Sequence, residues 1–521
     1  MEQEANIDAG CRESDEVKKF AKHQRDALPG EPACVVCGRY GEYVCDATDD
    51  DVCSLECKGV LLTKRVTPSL KIPVQDECYY VNDGNFQPDS STLSLDQLSL
   101  LRKKLDIGVK GGQIPPPILS FSSCSLQSKL LNNIEAGGYE MPTPVQMYAI
   151  PAALTGKNLI VSADTGSGKT AAYLIPVVSS CVGVRTNQIQ QSQELSHRQP
   201  LAIVLAPTRE LCIQVENEAK LLARGLPFKT ALIVGGDSIA RQIYRINQGV
   251  ELIVGTPGRV IDIAIKQDMQ LNDVRMLVLD EVDCLLQSGF RDQALQILRA
   301  LSQPQVLMFS ATISSEVEKF ATSVVADVLH LSVGRPNNPC KSVRQTAIWV
   351  ESIRKKKKLF EILMSEEHFA PPAAVYVNSK LGADLLCDAI TVTTGLKALS
   401  IHGDKPMKDR RECLSSFLLG EAPLIVATGV LGRGVDLIDV KQVIIFDMPN
   451  SINEYIHQIG RASRMGAKGS AIVFINEESK HLFPELVEIL KSNGAQVPRE
   501  LLTSVRTPRG ARCNRKRKHG C

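Results

Sequence analysis

Short apolar runs recur along most of the chain, each followed by a stretch whose apolar residues repeat at helical spacing. One set comprises residues 158–161, 201–205, 230–234, 251–254, 276–279 and 305–309. A second comprises 346–350, 373–377, 397–401, 423–427, 440–446 and 470–475. The runs are continuous rather than alternating, so each strand is buried on both faces, as in parallel sheets covered by helices. Residues 334–342, rich in Pro and Asn, divide the two sets and predict a hinge between two α/β domains. The polar insert 185–199 reads as a surface loop.

Ahead of these domains the pattern is weaker. Residues 1–30 are polar, mixed in charge and aperiodic, which predicts a disordered N-terminus. Residues 31–62 carry Cys34-x2-Cys37, Cys45 and Cys53-x3-Cys57 among turn residues. Two close cysteine pairs, Cys34 with Cys37 and Cys53 with Cys57, supply one tetrahedral thiolate zinc site. Metal binding worth ~10–16 kcal/mol would exceed anything so small a core contributes. Residues 63–118 read as a linker with a short helical pattern at 95–105. Ile114-Pro115-Pro116-Pro117-Ile118 then forces an extended approach to the first α/β domain, 119–334. The second domain spans 343–495, and 496–521 is a basic tail with seven Lys or Arg residues between 506 and 518.

A chain of 521 residues, 44% of them apolar, can fill two or three domain cores. Its 16 cysteines, with no basic-then-apolar leader, fit thiols and metal ligands rather than disulfides. No apolar run approaches the ~20 residues that cross a bilayer. A soluble intracellular protein without a membrane partner is expected. The net charge of +2 leaves nucleic-acid binding to local basic patches. The tail is such a patch, suited to weak RNA contact and nuclear import, so a nuclear location is expected, with a cytoplasmic pool allowed.

Chemistry concentrates at Ala163-Asp164-Thr165-Gly166-Ser167-Gly168-Lys169-Thr170, between an apolar strand and a helix start. Such a turn converges backbone N–H groups on phosphate oxygens; Lys169 adds a point charge and Thr170 a hydroxyl for magnesium. Leu277-Val278-Leu279-Asp280-Glu281-Val282-Asp283 sets carboxylates at a strand end, where open parallel sheets bind ligands. Asp280 suits the magnesium shell, and Glu281 suits orientation and deprotonation of the attacking water. In the second domain, Arg461 and Arg464 lie three apart in His457-Gln458-Ile459-Gly460-Arg461-Ala462-Ser463-Arg464. On one helical face they would stabilise charge on the γ-phosphate when the domains close.

From about 121 to 476 the chain resembles a DEAD-box RNA helicase. Phe121 with Gly138-Tyr139-Glu140-Met141-Pro142-Thr143-Pro144-Val145-Gln146 is similar to that family's adenine-reading motif. The resemblance implies that Gln146 bonds the adenine while Phe121 and Tyr139 pack at the base. Pro207-Thr208-Arg209-Glu210-Leu211, Gly235-Gly236 and Thr256-Pro257-Gly258-Arg259 match its RNA-backbone motifs. Hydroxyls, glycine amides and arginines hold phosphate and sugar without reading bases. Ser310-Ala311-Thr312 resembles the motif that couples hydrolysis to strand separation, and Asp283 is assigned to the same coupling. By resemblance, Asp436 binds the ATP ribose and Thr428 touches RNA. The implied architecture is two tandem RecA-like parallel-sheet domains preceded by a small zinc-finger module.

The cysteine segment is similar to the HIT-type zinc finger, whose pairs hold two metals. Thr48 stands at the fourth ligand position after Cys45, and no His-x-Cys pair follows. One zinc is therefore expected, with Cys45 and Cys78 as spares. The finger lacks the basic and aromatic groups of an RNA-binding finger, so its expected partner is a protein. Four positions depart from the family: Val282 for alanine, Gly429 for aspartate, Met407 for glutamine and Gln458 for arginine. The last three are expected to weaken RNA and interdomain contacts in the second domain while leaving the ATP ligands. The expected function is ATP-dependent RNA helicase activity, with ATP, magnesium and zinc as cofactors. The alternative is an ATP-dependent RNA clamp for assembly that unwinds weakly.

Overall fold

The computed structural model describes residues 18–27, 33–41, 43–45, 51–64, 94–190, 199–267, 269–286, 289–334, 343–429, 440–462 and 469–506. Arg464, Asp436, Thr48, Cys78, the bulk of the 63–118 linker before 94 and the tail beyond 506 lie outside them. The chain forms two compact units, Met1–Asp76 and Glu77–Cys521. Among the described residues no helix is long and apolar enough to cross a membrane.

In the first unit β1 (Tyr43–Val44) and β2 (Asp51–Val52) pair antiparallel, followed by a helix at Leu55–Lys64. Cys34, Cys45, Val52, Cys53, Cys57 and Leu61 make its small core. Part of the N-terminal stretch expected to be disordered is structured. The helix's first N–H groups, on Leu55 and Glu56, donate to the carbonyls of Lys18 and Lys19 at 3.0 and 3.1 Å. Those donors have no partner within a helix, so the carbonyls of the N-terminal stretch satisfy them. Arg39 donates to the Ala21 carbonyl (2.6 Å) and the Arg25 guanidinium stacks 4.1 Å from the Tyr40 ring centroid, fixing the same stretch.

The second unit holds two sheets. The first uses β3 (Ile107–Lys110), β4 (Asn158–Ser162), β5 (Ala202–Leu205), β6 (Thr230–Ile233), β7 (Leu252–Gly255), β8 (Met276–Asp280), β9 (Gln305–Ser310) and β10 (Val328–Val333). Their order is β3-β10-β4-β9-β8-β5-β7-β6, all parallel except β3 against β10. Every residue of β5, β7 and β8 is buried, the reason for their continuous apolar runs. The second sheet uses β11 (Val343–Trp349), β12 (Ala373–Tyr376), β13 (Ala398–Ile401), β14 (Leu424–Ala427), β15 (Gln442–Ile445) and β16 (Gly469–Ile475). It is wholly parallel, in the order β11-β16-β15-β12-β14-β13.

Three boundaries differ from the sequence reading. Ile107–Lys110, assigned to the linker, pairs with β10 at the sheet edge; both strands are only partly buried and carry no continuous apolar run. The polar insert begins as helix: Lys169–Gln190 is continuous, and Arg185 within it donates to buried Glu251 at 2.9 Å. A charge that reads as surface is there one half of a buried ion pair. Arg499–Arg506, placed in the tail, is a helix whose Leu501 is fully buried in the second domain's core. Burying one such side chain gives about 1.5–3 kcal/mol, enough to hold a two-turn helix onto the domain.

Candidate functional site: a nucleotide cleft beside an RNA groove

Strand order sorts the chemistry. β4, β9 and β8 are neighbours, and from their C-terminal ends come Ala163–Thr170 residues, Ser310 to Thr312, and Asp280 to Asp283. β5, β7 and β6 form the other half of the sheet and deliver Pro207 to Arg209, Thr256 to Arg259, and Gly235 with Gly236. Ligand chemistry at the carboxyl edge of an open parallel sheet is thus divided between two adjoining regions.

In the glycine loop, Lys169 donates to the carbonyls of Ala163 (2.7 Å) and Asp164 (2.9 Å), tying the loop's two ends. Gly168 has φ +90°, and a Cβ there would lie 2.6 Å from Gln146 Nε2. Only glycine allows that approach. Gln146 is fully buried; its Nε2 donates to the Gly168 carbonyl (3.1 Å) and its Oε1 accepts from Thr143 N–H (2.9 Å). The loop's shape therefore depends on Gln146. Phe121 is buried in the first domain's core, which also holds Val145 and Met147 on either side of Gln146, and the half-buried Tyr139 donates its hydroxyl to Glu218. Ser167 lies in the loop, half-buried like Gly166 and Thr170.

Asp280 is buried at the tip of β8. Its Oδ1 accepts from Glu281 N–H (2.9 Å) and its Oδ2 from the Tyr173 hydroxyl (2.8 Å). Burial, then the Glu281 charge, pushes its pKa up to about 6. A carboxylate so disfavoured gains from a cation. Thr170 and Asp280 offer hydroxyl and carboxylate oxygens, the hard donors that magnesium takes. Glu281 sits at φ +49°, a left-handed conformation that costs a non-glycine residue about 1–2 kcal/mol. Val282 is fully buried in the apolar core, so the departure from alanine is absorbed as packing.

The second domain closes this site. His457, in the helix Ile452–Ile459, is 1% exposed and lies 2.8 Å from Asp283 and 3.5 Å from Glu281. Asp283 also accepts from the Thr312 hydroxyl, and its N–H neighbour Cys284 bonds its other oxygen at 2.9 Å. Burial alone would raise the Asp283 pKa; the His457 charge and these hydrogen bonds hold it well below the usual carboxylate range. Burial opposes the imidazolium, yet Asp283 and Glu281 raise the His457 pKa above its ordinary value. Thr165 donates to the Gly460 carbonyl at 3.0 Å, so the second domain touches the glycine loop itself. Arg461 follows directly. Contrary to the sequence reading, Arg461 does not continue the α-helix: the helix ends at Ile459 and Arg461 sits in a 3-10 turn, Gly460–Ala462, its Nε donating to the His457 carbonyl at 3.3 Å, while Arg464 lies outside the described residues.

On the other half of the sheet, a cavity of about 320 Å³ is lined by Pro207, Arg209, Gly235, Thr256, Gly258 and Arg259, with Asp262, Phe290 and Gln293. Thr208 caps the helix Arg209–Leu222 by accepting from Leu211 N–H (3.3 Å). Gly236 is covered from across the interface by Met407 and by Arg209. Met407 is buried there, Arg410 pairs with buried Glu210, and Arg411 lies 3.1 Å from Asp237. Interdomain contact on the RNA side is thus made without the family's glutamine. Thr428 is buried at the end of β14. The departures at 429 and 458 meet: Glu454 Oε1 accepts from Gln458 at 3.4 Å and lies 2.5 Å from where a Cβ on Gly429 would stand. An aspartate there would collide with Glu454 and oppose its charge.

In the finger, the sulfurs of Cys34, Cys37, Cys53 and Cys57 all lie within 4.8 Å of one another, with Cys37–Cys53 at 3.4 Å and Cys53–Cys57 at 3.6 Å. Tetrahedral zinc with Zn–S of about 2.3 Å sets sulfurs about 3.8 Å apart, so the four fit it. Cys45 is fully buried yet outside that cluster.

Residues 143–320 match the DEAD/DEAH box helicase family, 354–466 the helicase conserved C-terminal domain and 30–59 the HIT zinc finger. The chain belongs to the DEAD-box ATP-dependent RNA helicases: an RNA-dependent ATPase that couples ATP binding and hydrolysis to local RNA duplex separation or RNP remodelling. It is 60% identical over 497 residues to DEAD-box ATP-dependent RNA helicase 41 of Arabidopsis thaliana, covering 95% of this chain and 96% of that one. Probable ATP-dependent RNA helicase DDX59 of Homo sapiens is 45% identical over 500 residues, covering 94% and 79%. Among solved structures, S. cerevisiae Dbp5 bound to RNA and ADP BeF3 superposes with a TM-score of 0.62 at 28% identity, covering 74% of this chain and 98% of that one.

Sequence reasoning quoted His457 without giving it a role and passed over Tyr173 and the Glu210–Arg410 pair. Tyr173 lies one helical turn beyond Thr170, a spacing that brings a side chain back to the loop; the other two needed the domain interface.

Proposed function

We propose a division of labour within the helicase reaction, carried by one observation: Asp283 is held by Thr312 of its own domain and by His457 of the other. Phe121, Tyr139 and Gln146 read the adenine, and because Gln146 also bonds Gly168, base recognition sets the loop that cradles the phosphates. Lys169 exchanges the loop carbonyls for phosphate oxygens. Thr170 and Asp280 hold magnesium, which when bound neutralises phosphate charge. Glu281 takes the proton of the attacking water, Arg461 and Arg464 stabilise the γ-phosphoryl charge, and Asp436 binds ribose. Pro207, Thr208, Arg209, Gly235, Gly236, Thr256, Gly258, Arg259 and Thr428 hold the RNA backbone. Ser310, Thr312 and Asp283 pass closure between the two regions.

If coupling runs through Asp283, His457→Ala separates the two activities. RNA stimulation of ATP turnover should fall by about 5–150-fold, the range of a 1–3 kcal/mol coupling, while fluorescent-ATP affinity without RNA stays within threefold. Full RNA stimulation in that variant sinks the coupling assignment.

One zinc, held by Cys34, Cys37, Cys53 and Cys57, stabilises the finger as a docking surface for a protein partner. Metal analysis should give one zinc per chain and none for Cys34→Ser; two in the parent chain would overturn the ligand set. The basic run 506–518 supports nuclear import. A reporter carrying it that stays in the cytoplasm would overturn that location.

A further inference from the structure

Tyr173 is fully buried, its ring against Phe309 at 5.2 Å, on the helix that leaves the glycine loop. Its hydroxyl donates to Asp280 Oδ2 at 2.8 Å. The helix that leaves the loop is thus tied to the carboxylate at the end of β8 that is assigned to magnesium. The other oxygen of Asp280 accepts from Glu281 N–H at 2.9 Å. A carboxylate has about four lone-pair sites, so both oxygens keep capacity facing the loop.

We propose that Tyr173 is a positioning residue for the magnesium shell, fixing the Asp280 carboxylate through the hydrogen bond of its hydroxyl. This rests on the assignment of Asp280 to magnesium. Packing alone does not require the hydroxyl, since phenylalanine would keep the contact with Phe309. The hydroxyl instead answers a need of the site. Asp280 is buried beside Glu281, and an outer partner that fixes a ligand's orientation typically carries about 10–100-fold in metal affinity.

The test is Tyr173→Phe in the full chain, with Asp280→Asn beside it. Binding of methylanthraniloyl-ATP is followed without turnover, first in EDTA and then across a magnesium titration. For Tyr173→Phe, half-saturating magnesium should rise by about tenfold or more. Affinity in EDTA and the melting temperature should match the parent, because ring and loop are kept. A parental magnesium dependence in Tyr173→Phe, with Asp280→Asn impaired, overturns the positioning role alone. A parental dependence in both variants overturns the magnesium assignment together with it. Equal weakening of Tyr173→Phe with and without magnesium means a structural role and also overturns the proposal. If Tyr173→Phe melts below the parent, the same titration is run about ten degrees under its own melting temperature, where half-saturating magnesium at the parental value overturns the positioning role.

Discussion

Arg461→Ala is expected to lower RNA-stimulated ATP turnover by about 10³–10⁵-fold, the range of an arginine finger, equivalent to roughly 4–7 kcal/mol at 1.36 per decade. The residue is 7% exposed in the 3-10 turn after the His457 helix, directly after Gly460, whose carbonyl meets Thr165 of the glycine loop. Acting as the proposed finger, it would depend on the second domain being seated on that loop. ATP affinity, set mainly in the first domain, should change little. Arg461→Lys should recover only part of the rate, because an ammonium keeps the charge and loses the planar fork. Steady-state turnover with saturating single-stranded RNA measures both variants; an alanine variant within tenfold of the parent rules out the role.

Glu281→Gln is the second large effect. Its carboxylate is buried and lies 3.5 Å from His457 Nδ1, on a residue with a left-handed backbone at the end of β8. The amide is nearly isosteric but cannot accept the water's proton, so turnover should fall by about 10²–10⁴-fold. The His457–Asp283 contact at 2.8 Å is untouched, so closure on ATP and RNA should persist. The variant is then expected to hold RNA longer in ATP than the parent, seen as slower release of a labelled single strand. Parental turnover in Glu281→Gln excludes it as the base.

The two variants separate what closure does from what chemistry does. In the proposed division of labour Arg461 and His457 act from the second domain and Glu281 from the first, and His457 meets Asp283. Four departures from the family pattern are read differently once the interface is seen. Val282 fills the core, Met407 covers Gly236, and Gly429 and Gln458 both border Glu454. None of them removes a group that holds Asp280, Glu281 or Lys169.

Much of this was legible in the chain itself because it rests on local causes. A buried parallel strand must be apolar throughout, a phosphate loop must have glycine where backbone and side chain crowd, and zinc needs close thiol pairs. Those requirements leave patterns over short stretches of chain: β5, β7 and β8, the glycine loop around Gly168, and the close pairs Cys34 with Cys37 and Cys53 with Cys57. The edge strand Ile107–Lys110, the buried Arg185–Glu251 pair and the Leu501 helix left no such pattern. Each depends on a partner far along the chain, and a half-buried or charged residue looks the same in sequence whether or not that partner exists.

The sequence by itself determined the two α/β domains, the residue types of the nucleotide and RNA motifs and the four-cysteine cluster. Only the tertiary structure decided how they work as one site. It laid the glycine-loop and carboxylate motifs at the ends of β4, β9 and β8 and the motifs at 207–209, 235–236 and 256–259 at the ends of β5, β6 and β7, brought His457 to Asp283, and joined Tyr173 to Asp280. The physical reason is the same in each case: strand order and domain closure set distances between residues that are remote in sequence, and hydrogen bonds act only over the last three ångströms.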